Sequence, residues 1–95
     1  MKRLLFLFLL VGCQPAIISM EQLPDYLGRE VIIQGSFFDV YNDEYLQFAD
    51  ESTYIYVKTN GTFVYRRWYT LKGKVEMCQI SSSKERVCLN ASSVE

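Results

Sequence analysis

Histidine is absent from this 95-residue chain, which removes the side chain most often used as a general base near neutral pH and the commonest nitrogen ligand for metals. Cysteine is scarce: Cys13, Cys78 and Cys88 are the only three. None is spaced as C-x-x-C, so neither a dithiol redox centre nor a thiolate zinc site is encoded. No serine, cysteine or carboxylate pair stands in a setting that marks a nucleophile or an acid–base couple. Asp39, Asp43, Glu44, Asp50 and Glu51 gather around turns, without the regular oxygen spacing and sharp glycine turn of a calcium loop. The longest apolar run, Leu4 to Gly12, falls well short of the roughly 20 residues that cross a bilayer as a helix. These absences point away from an enzyme, a resident metal or cofactor, and a retained membrane span.

The run Leu9-Leu10-Val11-Gly12-Cys13 follows Lys2-Arg3 and an unbroken apolar stretch. It resembles the lipobox that ends a bacterial lipoprotein signal, a short basic and apolar leader closed by a small residue before a cysteine. The resemblance implies that residues 1–12 are removed, that a diacylglycerol is attached to the Cys13 thiol, and that the new amine is acylated, palmitate being a usual chain. Two or three acyl chains hold a protein stably where one does not. Gln14 follows the cysteine; in Gram-negative lipoproteins a residue other than Asp there implies the outer membrane, facing the periplasm. An ordinary secretory signal or a buried N-terminal strand are the alternatives.

Without residues 1–12, 83 residues remain, enough for one domain with a modest core. Losing Lys2 and Arg3 from ten basic side chains leaves eight against eleven acidic, a net charge of −3. Such a domain is a poor general ligand for nucleic acid or anionic lipid. In an oxidising compartment the isolated pair Cys78 and Cys88 is most simply a disulfide. On the chain-entropy model it would contribute about 2–3 kcal/mol.

Residues 13–19 are expected to be a lipidated tether and residues 20–95 the folded domain. Ser19-Met20-Glu21-Gln22 has the form of a capping box, with Leu23 and Leu27 at helical spacing from Met20 and Gly28 as a stop, so a short helix is predicted over 20–27. Alternation from Val31 predicts a strand over 30–40. A second strand over 45–49 has Leu46 and Phe48 inward, and a third over 53–58 has Thr53, Ile55 and Val57 on one face and Tyr54 and Tyr56 on the other. Asn60-Gly61 marks a turn. The stretch 63–69 is ambiguous, whereas Leu71, Gly73, Val75 and Met77 read as the inward positions of a strand. After a polar loop over 79–86, a last strand places Val87, Leu89 and Ala91 inward, and both Cys78 and Cys88 outward on neighbouring strands.

This order of elements, with the segments Leu27-Gly28-Arg29-Glu30-Val31-Ile32-Ile33-Gln34-Gly35 and Leu71-Lys72-Gly73-Lys74-Val75, resembles the OB-fold. The fold class expected is all-β: a five-stranded OB-fold-like barrel with a short N-terminal helix. The resemblance implies that Gly35 lets the first barrel strand bend to serve both halves. The chain departs from the family where a helix usually joins the third and fourth strands; here Phe63 and Trp68 are expected to close the barrel. A β-sandwich or an antiparallel meander packed on the helix is the rival.

OB domains bind across their second and third strands and the loops beside them, which here means outward Tyr45, Gln47, Tyr54 and Tyr56, with Tyr41 and Phe38 at the rim. Tyr45, Tyr54 and Tyr56 are candidates for stacking on sugars or bases, although tyrosines also simply suit strands. Tyr65-Arg66-Arg67-Trp68-Tyr69 is a second candidate, its Arg66, Arg67 and Trp68 suited to an anionic or protein partner. The expected function is a non-enzymatic binding or assembly module for a protein or cell-wall glycan, held to the membrane through Cys13. The alternative is a nucleic-acid-binding OB domain of a DNA-uptake or transfer apparatus.

Overall fold

A computed structural model describes residues 14–95. Cys13 and the expected signal over 1–12 lie outside the described residues. Six strands and one short 3-10 helix follow in the order β1 (Ala16–Ile17), the helix (Met20–Tyr26), β2 (Glu30–Val40), β3 (Tyr45–Ala49), β4 (Tyr54–Lys58), β5 (Trp68–Ser81) and β6 (Lys84–Val94). The sheet order β1-β2-β3-β4-β6-β5 is closed by a further β2–β5 pairing, so β2 to β6 form a ring. All neighbours in the ring are antiparallel except β4 and β6. This is the OB-fold-like architecture that the sequence resembles.

Every predicted barrel strand is present, three of them within a residue of the expected limits. The central device is β2, eleven residues long. Its first half pairs with β5 and its second with β3, and Ser36 is shared by both ladders. Gly35 sits at that crossover. A Cβ there would collide with the Met20 methyl and stand 3.2 Å from the Ala49 carbonyl oxygen, so the position is fixed as much by close approach of the helix as by bending of the strand. Gly73 is tighter still: an added Cβ would overlap the Asn90 carbonyl and lie 2.7 Å from the Ala91 Cα, where the β5–β6 register shifts.

The helix is 3-10 rather than α. Pro24 has no N–H to return to Met20, which favours the tighter turn. Gln22 makes its half of the capping box, its Oε1 accepting from the Ser19 N–H at 2.9 Å. Met20 and Leu23 enter the core beside Val31, Ile33, Phe48, Val57, Leu71, Val75 and Leu89. Phe63 also closes the barrel as expected, packing on Phe37, Phe48 and Tyr69 with ring centroids 5.3–6.1 Å apart. Trp68 does not: it is 54% exposed, because its partner across the ladder is Ser36, on the outer face.

Three further differences have one origin, the length of β5. The ladder from β2 ends at Lys74, so the inward side of β5 has nothing to cover it beyond Val75, and Met77 is exposed. The expected polar loop over 79–86 is instead a continuous hairpin, Gln79 pairing with Glu85 and Ser81 with Lys84. Past the ring, β5 and β6 bury their outer face, forming a second cluster of Tyr45, Tyr56, Cys78, Ile80 and Cys88 with Tyr41 against it. A separate difference is that the described part of the expected tether is joined to the sheet: Ala16 and Ile17 pair in parallel with Val31 and Ile32.

Candidate functional site

The outer face of β3 and β4, between the 41–44 and 82–83 turns, is the usual OB ligand surface. Alternation in the β3–β4 ladder puts Tyr45, Gln47 and Ala49 opposite Lys58, Tyr56 and Tyr54 on that face. Tyr45 and Tyr56 are each only 5% exposed, lying under the β5–β6 hairpin against Ile80 and the disulfide. Cys78 and Cys88 are bridged across the two strands with their Cα atoms 5.8 Å apart, Cys78 opposite Arg86 and Cys88 opposite Glu76.

Asn42 clamps this cover shut. Its Oδ1 accepts from the Glu44 and Tyr45 N–H groups at 2.9 and 3.0 Å, shaping the turn, and its Nδ2 donates to the Ile80 carbonyl at 2.9 Å. Burial, and then the neighbouring hydroxyls of Tyr54 and Tyr41, push the Tyr56 phenol above its ordinary value, so it stays protonated at neutral pH. The middle of the usual ligand face is therefore filled by the protein's own side chains.

What stays open is the seam beside it. β4 and β6 pair only over Tyr56–Lys58 and Cys88–Asn90, so their N-terminal ends diverge. The gap is floored by Met20 and Leu23 and forms a cleft of about 480 Å³, also lined by Glu21, Pro24, Thr53, Tyr54, Arg86 and Val87. Tyr54 is 48% exposed. Its ring is set edge-on by Phe38 at 5.8 Å and Tyr56 at 5.7 Å, so a flat aromatic platform is held rigid at the cleft. Exposed Arg86 supplies charge and donors, and Glu21 one carboxylate. Such a mouth can stack a ring and hydrogen-bond its substituents, or seat a side chain of a protein partner.

The second candidate segment stands elsewhere. Arg66 and Arg67 are exposed on the β4–β5 connection and Trp68 opens β5. Trp68, Ser36, Ala49 and Tyr54 are successive ladder partners, so Trp68 and Tyr54 stand on strands that are not neighbours. The structure thus separates the residues named from the sequence into buried Tyr45 and Tyr56, open Tyr54, and a distant Arg66-Arg67-Trp68 group. Arg86 was missed. The alternation that turned Cys88 and Asn90 outward would have placed it on their face. Among the described residues no three His, Cys, Asp or Glu side chains gather as a metal site, and no helix is long and apolar enough to cross a membrane.

No protein-family model matches the chain, and no curated protein matches it in sequence. Among solved structures it is similar to the hypothetical protein YgiW from E. coli, with TM-score 0.69 and 15% identity over 84% of this chain and 88% of that one. It is also similar to the telomere capping protein Ten1 from S. pombe, with TM-score 0.64 and 12% identity over 86% and 80% of the two chains. A chain of the S. pombe Stn1–Ten1 complex gives TM-score 0.65 at 12% identity, over 86% of this chain and 75% of that one. At these identities the likeness establishes the OB-like fold.

Proposed function

We propose that the protein is a non-enzymatic binding or assembly module of the bacterial cell envelope, anchored by lipid on Cys13, facing the periplasm from the outer membrane, and engaging a protein or cell-wall glycan. The observation that carries the binding reading is the open β4–β6 seam with the braced Tyr54 ring and exposed Arg86 at its mouth. The lipobox and Gln14 support the address. Between the partner classes, the cleft suits both a sugar ring and a protruding side chain.

The nucleic-acid reading would place bases on open rings between the 41–44 and 82–83 turns. Tyr45 and Tyr56 there are covered, and the net charge without residues 1–12 is −3, which favours the protein or glycan reading. Full-length protein and its Tyr54→Ala/Arg86→Ala form, expressed in a Gram-negative host, separate the possibilities. Co-sedimentation with purified sacculi, or recovery of one crosslinked protein, should fall about tenfold in the variant, the loss expected when an aromatic anchor and a charged contact are removed. Equal recovery by both forms would reject the cleft, and binding to single-stranded DNA that weakens steeply with salt would favour the alternative.

A further inference from the structure

Four of the exposed large apolar side chains, Ile17, Val64, Tyr65 and Trp68, lie on β1 and on the segment that leads into β5. Ile17 is 82% exposed, and with Trp68 it lines a hollow that includes Ile32, Gln34 and Thr70. Val64 and Tyr65 are more than half exposed beside Arg66 and Arg67. The connection that displays them is pinned: the Arg66 N–H donates to the Phe37 carbonyl at 2.7 Å, the Phe37 N–H to the Arg67 carbonyl at 3.2 Å, and the Val64 N–H to the Tyr69 hydroxyl at 2.8 Å. Arg66 takes a φ of +68°, a left-handed conformation costly for a non-glycine residue and held here by those bonds. Its guanidinium lies 5.4 Å over the Tyr65 ring.

We infer that this face, Ile17 with Trp68 and the Val64–Arg67 segment, rests on the headgroup layer of the membrane. The occupant follows from chain length. Cys13 precedes Ile17 by four residues, which span at most about 14 Å fully extended, and Ile17 is already fixed in the sheet. A lipid on Cys13 therefore holds Ile17 within about 14 Å of the anchored residue, close to the headgroup layer. Tryptophan and tyrosine favour that interface, and arginine pairs with lipid phosphates. Asp50 and Glu51 also line the hollow; they oppose anionic lipid and set the limit of the contact. The Tyr54–Arg86 cleft opens on the other side of the 50–53 turn, lined by Met20 and Thr53 where the hollow is lined by Ser19 and Ser52.

The inference rests on the lipid-anchor reading, and one experiment separates the two. Trp68 is the only tryptophan, so its fluorescence reports this face without background. The full protein, purified from membranes and reconstituted into vesicles of phosphatidylethanolamine and phosphatidylglycerol, is compared with and without bromine on the acyl chains. Emission should shift to shorter wavelength and fall at least about twofold with brominated lipid, as for an interfacial tryptophan, and Ile17→Asn/Tyr65→Ser should relieve the quenching. Lipid-bearing protein that floats with the vesicles while Trp68 is unquenched overturns this inference alone, as does quenching that the variant leaves unchanged. A chain unmodified at Cys13 that does not float overturns the anchor and the inference together.

Discussion

Asp50 shows how one side chain joins two elements. Its Oδ1 accepts from the Ser52 and Thr53 N–H groups and the Ser52 hydroxyl, closing the turn between β3 and β4, while Oδ2 accepts from the Met20 N–H at 3.0 Å and fixes the start of the 3-10 helix. Burial alone would raise its carboxyl, but the hydrogen bonds from Ser52, Met20 and Thr53 outweigh it and hold the group below its ordinary value. A depressed carboxylate contributes stability that is complete above its unfolded value and disappears as pH falls through its folded one. Asp50→Asn should therefore lose about 1–2 kcal/mol at pH 7 and should lose less further stability than the wild type as pH falls below the ordinary carboxylate value of 3.8, both read from urea unfolding midpoints. Parallel acid limbs in the two proteins would contradict this role.

At the scale of elements, β2 is legible because its burial alternates cleanly, and β3 and β4 because Leu46, Phe48, Ile55 and Val57 mark the face they turn to the core. The β5–β6 hairpin was not. Its tip is polar at Gln79, Ser82, Ser83, Lys84, Glu85 and Arg86, and only Cys78 and Ile80 disclose that its outer face folds over Tyr45 and Tyr56. The burial of those tyrosines depends on a partner distant in sequence, so strand alternation alone marks them as solvent-facing. Trp68 misled in the opposite sense: size and apolarity suggest the core, whereas its ladder position decides otherwise. The disulfide is what makes the hairpin a fixed cover. Cys78→Ala/Cys88→Ala should cost about 2–3 kcal/mol from the lost loop constraint, with Tyr45 and Tyr56 becoming more accessible to tyrosine-modifying reagents. An unchanged unfolding midpoint would show that Asn42 and Ile80 hold the hairpin unaided.

For the whole molecule, the ring order, the shared ladder of β2 and the core list follow from period-two patterning and two closely approached glycines, so fold class was readable from residues alone. The open cleft was only half readable. Tyr54 was named for its outward position, but the seam exists because β4 and β6 pair over three residues and then part, a register no local pattern encodes. In the function proposed, this seam rather than the covered strand face is where a partner binds. A photo-crosslinking amino acid placed at Tyr54, and in separate proteins at exposed Lys72 and at Asn60, tests it in living cells. One discrete adduct is expected from position 54, absent from the other two. Adducts from positions 60 or 72 with none from 54 would contradict it.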